Sequence, residues 1–163
     1  MARLFSFALN RRNLLLAGAA ALFFSTSAMA EPPVNTLKNS FFGGRTDTAI
    51  NGYDTVAYFT VGKPVKGLDD LAYEWMGAKW KFSSQANLDL FKANPEKYAP
   101  QYGGYCAYGV TQDGLVKVEP HLFTVRDGKL YLNYDDGIQA KWLKDSEAFI
   151  RQADAKFPAL LKK

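Results

Sequence analysis

One thiol and one imidazole, Cys106 and His121, are the only cysteine and histidine in the chain. A thiolate is a nucleophile and a soft metal ligand. A neutral imidazole is the commonest nitrogen ligand in metal sites. Paired, the two would make a sulfur/nitrogen half-site suited to copper or zinc. Two donors are too few for a metal ion, so Asp54, a tyrosine or Met76 would have to complete the set. The same thiol could instead be a catalytic redox nucleophile. That role needs a resolving thiol from outside the chain and a nearby base, and the only histidine lies 15 residues further on. The plainest alternative is an inert, buried cysteine, with His121 a solvated loop residue between Pro120 and Leu122. No Ser-His-Asp arrangement, phosphate loop or dinucleotide fingerprint is visible, so the balance favours a binding module over an enzyme.

The surroundings of Cys106 are rich in phenols. Tyr102, Gly103, Gly104, Tyr105 and Tyr108 are its near neighbours in the chain. Their rings can be core, with hydroxyls reaching the surface. They can equally line a pocket whose phenols donate hydrogen bonds to a cofactor or a thiolate. Asp54 can cap a helix starting at Thr55, or face the same pocket.

Residues 1–30 read as a cleaved export signal. A basic stretch ends in Asn10-Arg11-Arg12-Asn13, an apolar run spans Leu14 to Phe24, and Ala28-Met29-Ala30 has the A-x-A form of a cleavage site. The apolar run is 11 residues, against the roughly 20 that span a bilayer. No stable membrane insertion is expected after cleavage. The paired arginines resemble a twin-arginine signal, with Asn10 where Ser or Thr is usual; ordinary secretion is the alternative. The expected location is a bacterial periplasm. There a single unpaired thiol is unusual, because small exported domains staple themselves with cysteine pairs. Of the 20 Lys+Arg, three lie in this leader, leaving 17 bases against 16 acids. So balanced a remainder makes no electrostatic case for a nucleic-acid partner. A small ligand or a metal ion is the partner this composition allows.

What must position these groups is an α+β fold. Residues 31–47 read as an extended lead-in, and the rest as a single domain over 48–163. Asn51-Gly52-Tyr53-Asp54 is a turn signal. Between Tyr73 and Phe82, aromatic residues alternate with Glu74, Lys79 and Lys81 around Gly77-Ala78. That pattern predicts a β-hairpin with Trp75, Trp80 and Phe82 facing the core. A helix follows across Asn87–Ala93, with Ser83 or Ser84 as its cap and Asn94-Pro95 as its stop. Pro95 to Tyr98 adds a short helical turn. Asp127-Gly128, between two apolar runs, predicts a second hairpin through a type I′ turn. Ile138, Trp142, Phe149, Ile150 and Ala153 mark an amphipathic helix from Asp135 onward. The hairpins are expected to form a small antiparallel sheet with the helices packed on it.

The stretch from Tyr73 to Ser84, continuing through Phe91-x3-Pro95-x2-Tyr98, resembles a YHS domain. The longer frame is similar to an exported branch of YHS-like proteins. It takes in Asn51 to Asp54, Val56 to Phe59, Pro100 to Ala107 and Gly128 to Tyr134. The resemblance implies a YHS-like core. It also implies that the position of Cys106 tolerates selenocysteine in some members, as a redox or soft-metal role would want. It brings Tyr53, Tyr58 and Asp54 into the same frame as Tyr102 and Tyr105. Metal-binding YHS domains use a cysteine pair at the helix start. Ser83 and Asn87 stand at those positions, so that site does not carry over. The expected function is therefore an exported module handling a metal ion, copper or another soft or borderline metal, at Cys106 with His121. A thiol-dependent redox protein or a structural domain is the alternative. A working thiol there is expected to be accessible, with a pKa below that of free cysteine.

Overall fold

A computed structural model of the chain describes residues 30–38 and 43–162. The expected export signal therefore lies outside the described residues, apart from Ala30. Alternation of apolar and charged side chains becomes a hairpin where expected. Strand β1 (Leu68–Trp75) pairs antiparallel with β2 (Ala78–Phe82), putting Tyr73 opposite Trp80 and Trp75 opposite Ala78. The turn is Met76-Gly77, one residue earlier than the Gly77-Ala78 of the sequence reading, and both residues have positive φ (50° and 73°). Ala78 is free to join the strand because it needs no such backbone. Trp80 and Phe82 are fully buried, and Trp75 is half-buried.

Helix α1 (Ala57–Thr60) precedes the hairpin, and α2 (Gln85–Ala93) follows it. Ser84 caps α2 by accepting a hydrogen bond from the Asn87 N–H at 3.2 Å. Asn94 ends α2 and caps α3 (Pro95–Tyr98), with Pro95 in the first helical position. α2 presents Phe91 to the hairpin, where the rings of Phe82, Trp80, Trp75 and Tyr73 lie 5.0, 5.2, 5.7 and 6.4 Å away. Aromatic edges and faces at these separations add to area burial. This knot of five rings fixes the helix on the sheet.

The second half holds α4 (Ala107–Thr111), β3 (Phe123–Arg126), β4 (Lys129–Leu132), α5 (Asp136–Lys144) and α6 (Ser146–Leu160). Asp127 and Gly128 both have positive φ (52° and 70°), as a type I′ turn requires. The single C-terminal helix of the sequence reading is two. Asp145, outside the helical region at φ −155° and ψ 57°, breaks the run and its carboxylate accepts from the Ala148 N–H, capping α6.

The arrangement is α+β, as expected, but the two hairpins form two separate two-stranded sheets. The free edge of β2 takes Thr48 in an isolated bridge to Lys79, and that of β4 takes Cys106 in a bridge to Leu132. These bridges lie on the edges of β2 and β4 that face away from their hairpin partners. β4 divides two cores. Leu130 and Leu132 face the hairpin cluster, while Tyr131 faces a second cluster with Tyr102, Trp142 and Ala153.

Part of the 31–47 stretch is docked in the body. Val34 and Asn35 are fully buried. The Asn35 N–H and side-chain amide donate to the carbonyls of Gly103 and Gly104, and its carbonyl accepts from the Ile50 N–H. A Cβ at residue 103 would lie 1.8 Å from the Pro33 carbonyl oxygen, so only glycine permits this approach.

Phe91→Ala should cost about 3–5 kcal/mol, since it empties the centre of the ring knot. An unfolding free energy lowered by less than about 1 kcal/mol on a denaturant curve would place Phe91 outside the stabilising core.

Candidate functional site

Cys106 caps the N-terminus of α4, its sulfur accepting from the Gly109 N–H at 3.3 Å. The thiol lies 3.7 Å from Oδ1 of Asn133, which also accepts from the Tyr108 N–H at 3.3 Å. Asn133 is fully buried and donates to Gln139 at 2.6 Å. Gln139 in turn donates to the Phe123 carbonyl and to the Thr124 hydroxyl, both at 3.2 Å. A chain of amides thus runs from the thiol to β3. One wall of the sulfur's surroundings is an apolar cavity of about 160 Å³, lined by Cys106, Tyr108, Gly109, Val116, Tyr134 and Ile138 together with Gln112.

The accessible, low-pKa thiol of the sequence reading is not what the structure shows. Cys106 is 1% exposed. Burial pushes its pKa above the ordinary value, while N–H groups of Gly109, Tyr134 and Tyr108 pull the other way and the Asp135 carboxylate adds to the rise. Desolvation outweighs the donors, so Cys106 is a neutral thiol at neutral pH.

The other expected site residues do not gather around it. His121 is exposed at the entrance to β3. Met76 is half-exposed at the tip of the first hairpin. Among the described residues, no group of three or more His, Cys, Asp or Glu side chains is placed to hold a metal ion. Tyr102 donates to Asp154 at 2.9 Å, and burial first, then that bond, raises its pKa. Tyr105 donates to the Pro32 carbonyl at 3.1 Å and accepts from Arg45 at 3.0 Å. Both phenols brace the second core and the lead-in. Tyr58 donates to the Pro120 carbonyl at 2.9 Å. Tyr53 lines a different and larger groove, and Tyr108 alone of the five expected phenols lines the thiol cavity.

Asp54 is fully buried, and its carboxylate meets five donors. Oδ1 accepts from the N–H groups of Val56 (2.9 Å) and Ala57 (3.2 Å), as the capping reading expects. Oδ2 accepts from the Ser83 N–H (2.8 Å), the Ser83 hydroxyl (2.6 Å) and the Asn87 amide (2.7 Å). Ser83 and Asn87, from the end of β2 and the first turn of α2, therefore converge on one buried carboxylate.

Residues 56–102 match the family model of the YHS domain. No curated protein and no solved structure matches the chain. The matched stretch carries α1, β1, β2, α2 and α3; Cys106 and His121 fall after it. The metal site of such domains does not fit here. The donors at its two positions are hard and polar, and their hydrogens are spent on Asp54. Sequence reasoning missed Asn133, Tyr134 and Gln139 at the thiol. Asn133 was visible only as a polar residue ending an apolar strand.

Asp54→Ala would strand several buried donors, at a cost of about 3 kcal/mol or more. Stability within about 1 kcal/mol of wild type by chemical denaturation would show the hub to be dispensable. For Cys106 the sign follows from a folded pKa above the unfolded one. Its contribution to stability is complete below about pH 8.5 and is lost as pH rises through the raised folded value. Stability measured from pH 8 to 10 should fall in the wild type and stay flatter in Cys106→Ala. Equal slopes would refute the burial account.

Proposed function

We propose that the chain is an exported binding module for a soft monovalent metal ion, cuprous copper the natural candidate, with Cys106 as the sole thiolate donor. The observation that supports this most is the sulfur's placement: on the wall of an apolar cavity, facing backbone N–H groups, with no acid or base in hydrogen-bond contact. Such a setting suits a soft ion, which displaces the thiol proton and is stabilised by a sheltered, polarisable donor. It does not suit zinc, which takes three or four protein ligands. Two-coordinate cuprous ion needs one further soft donor, which a small thiol or a partner's thiolate would supply through the cavity. A fast redox nucleophile is disfavoured by the raised pKa and by the exposed position of the only imidazole in the chain, which makes no contact with the buried thiol.

An anaerobic titration with cuprous ion in the presence of a small thiol tests this. One ion should bind per chain, seen as sulfur-to-metal charge-transfer absorption, and Cys106→Ser should abolish it while remaining folded. Apparent affinity should rise about tenfold per pH unit below the thiol pKa, because binding releases one proton. Undiminished binding by Cys106→Ser would overturn the assignment. Intact-mass analysis of the secreted protein should show an N-terminus at Glu31. A retained leader would refute the processing.

A further inference from the structure

A polar groove of about 530 Å³ differs in character from the apolar thiol cavity. Four segments converge on it: Thr46 to Tyr53, Lys66 to Asp69, Lys81 of β2, and Glu119-Pro120. Its floor is held in an uncommon backbone. Ile50, Asn51 and Gly52 all have positive φ, at 47°, 52° and 74°. For a β-branched residue such as Ile50 this conformation is a real outlier, sustained only where the surroundings impose it. Here they do, because Ile50 is buried and its N–H is held by the Asn35 carbonyl.

The charges on the walls differ in how they are used. Lys81 and Asp69 form an ion pair at 2.5 Å. Lys66 donates to the Asn51 carbonyl and sits 4.4 Å from the centre of the Tyr53 ring, so neither of its partners carries a charge. Glu119 uses its backbone in the fold but has no ion-pair partner among the described residues. One unneutralised ammonium, one unneutralised carboxylate and one aromatic ring thus line a single groove. Lys66 has two ammonium hydrogens to spare, and Glu119 has acceptor oxygens to spare.

We infer that this groove is a binding site for a small zwitterion of the amino-acid or short-peptide class. The ligand's carboxylate meets Lys66, its ammonium meets Glu119, and its body lies along the Tyr53 ring. A purely anionic ligand would leave Glu119 opposing it, and a purely cationic one would face Lys66. A ligand carrying both charges turns both walls to account. The site does not depend on Cys106, and either reading can fail without the other.

Glycylglycine is the test ligand, with acetate and ethylamine as its single-charge halves. Titration of the isotope-labelled protein should shift the amide resonances of Tyr53, Lys66 and Glu119 saturably with glycylglycine at millimolar concentrations. Each half should bind at least about tenfold more weakly, as loss of one charge-assisted contact implies. Lys66→Gln and Glu119→Gln, both surface changes, should each weaken glycylglycine by about tenfold and leave the thermal midpoint in place. Cys106→Ser should bind it as the wild type does. Absence of saturable shifts, acetate binding as tightly as glycylglycine, or full affinity in either glutamine variant would overturn the inference.

Discussion

A carboxylate buried away from water is costly unless its oxygens are fully hydrogen-bonded, and the first half of this molecule is organised around that demand at Asp54. Its five donors come from three places: the turn into α1, the end of β2 and the first turn of α2. Satisfying one anion therefore fixes the mutual orientation of all three. The aromatic knot around Phe91 supplies the larger hydrophobic term, but rings tolerate sliding, whereas five hydrogen bonds to two oxygens do not. At this junction a hydroxyl and an amide, those of Ser83 and Asn87, both donate to Asp54.

β4 carries the corresponding constraint in the second half. Buried on both faces, it must end in a way that satisfies its last polar groups, and Asn133 does this. Its backbone pairs with Glu119 and Leu122, while its side chain bridges the Cys106–Tyr108 turn and Gln139. The thiol is thus placed by an amide whose own position is dictated by the strand. That makes the location of Cys106 rigid, and it makes the sulfur's environment dry on one side and N–H-rich on the other. Burial raises its pKa, yet the same N–H groups would stabilise the sulfur once a metal ion replaces the proton.

Local patterns were legible in the sequence and non-local pairings were not. The alternation of Tyr73, Trp75, Trp80 and Phe82 specified the first hairpin because period 2 is a property of the strand itself. Asp127-Gly128 specified the second turn because few residue pairs accept two positive φ values. The break at Asp145 was hidden, since Trp142 and Phe149 continue the helical spacing across it and an aspartate reads equally as a surface residue. The separation of the two sheets depends on Thr48 and Cys106 occupying strand edges, which no local window reveals. At the site, Asp54 was read as a cap or a pocket residue; its Oδ1 receives the N–H groups of the turn into α1. Its second role, receiving Ser83 and Asn87 from about 30 residues away, needed the fold. The phenols of Tyr102 and Tyr105 were indistinguishable in sequence from pocket groups, and their partners Asp154 and Arg45 are remote in the chain.

The distribution of sulfur also bears on how a one-thiol protein would survive export. A thiolate pair in the matched stretch would be prone to oxidation to a disulfide in an oxidising compartment, and its metal site would be lost with it. With Ser83 and Asn87 there instead, that half of the fold contains no oxidisable sulfur except exposed Met76. Cys106 cannot close a disulfide within the chain, so its remaining hazards are a bond to another molecule's thiol and over-oxidation. Both begin from an exposed thiolate. Its 1% exposure and raised pKa suppress both. A cavity of about 160 Å³ lies beside the sulfur. Burial that slows general thiol chemistry is therefore compatible with a selective soft-ligand role, because metal exchange needs only one small donor to reach the sulfur.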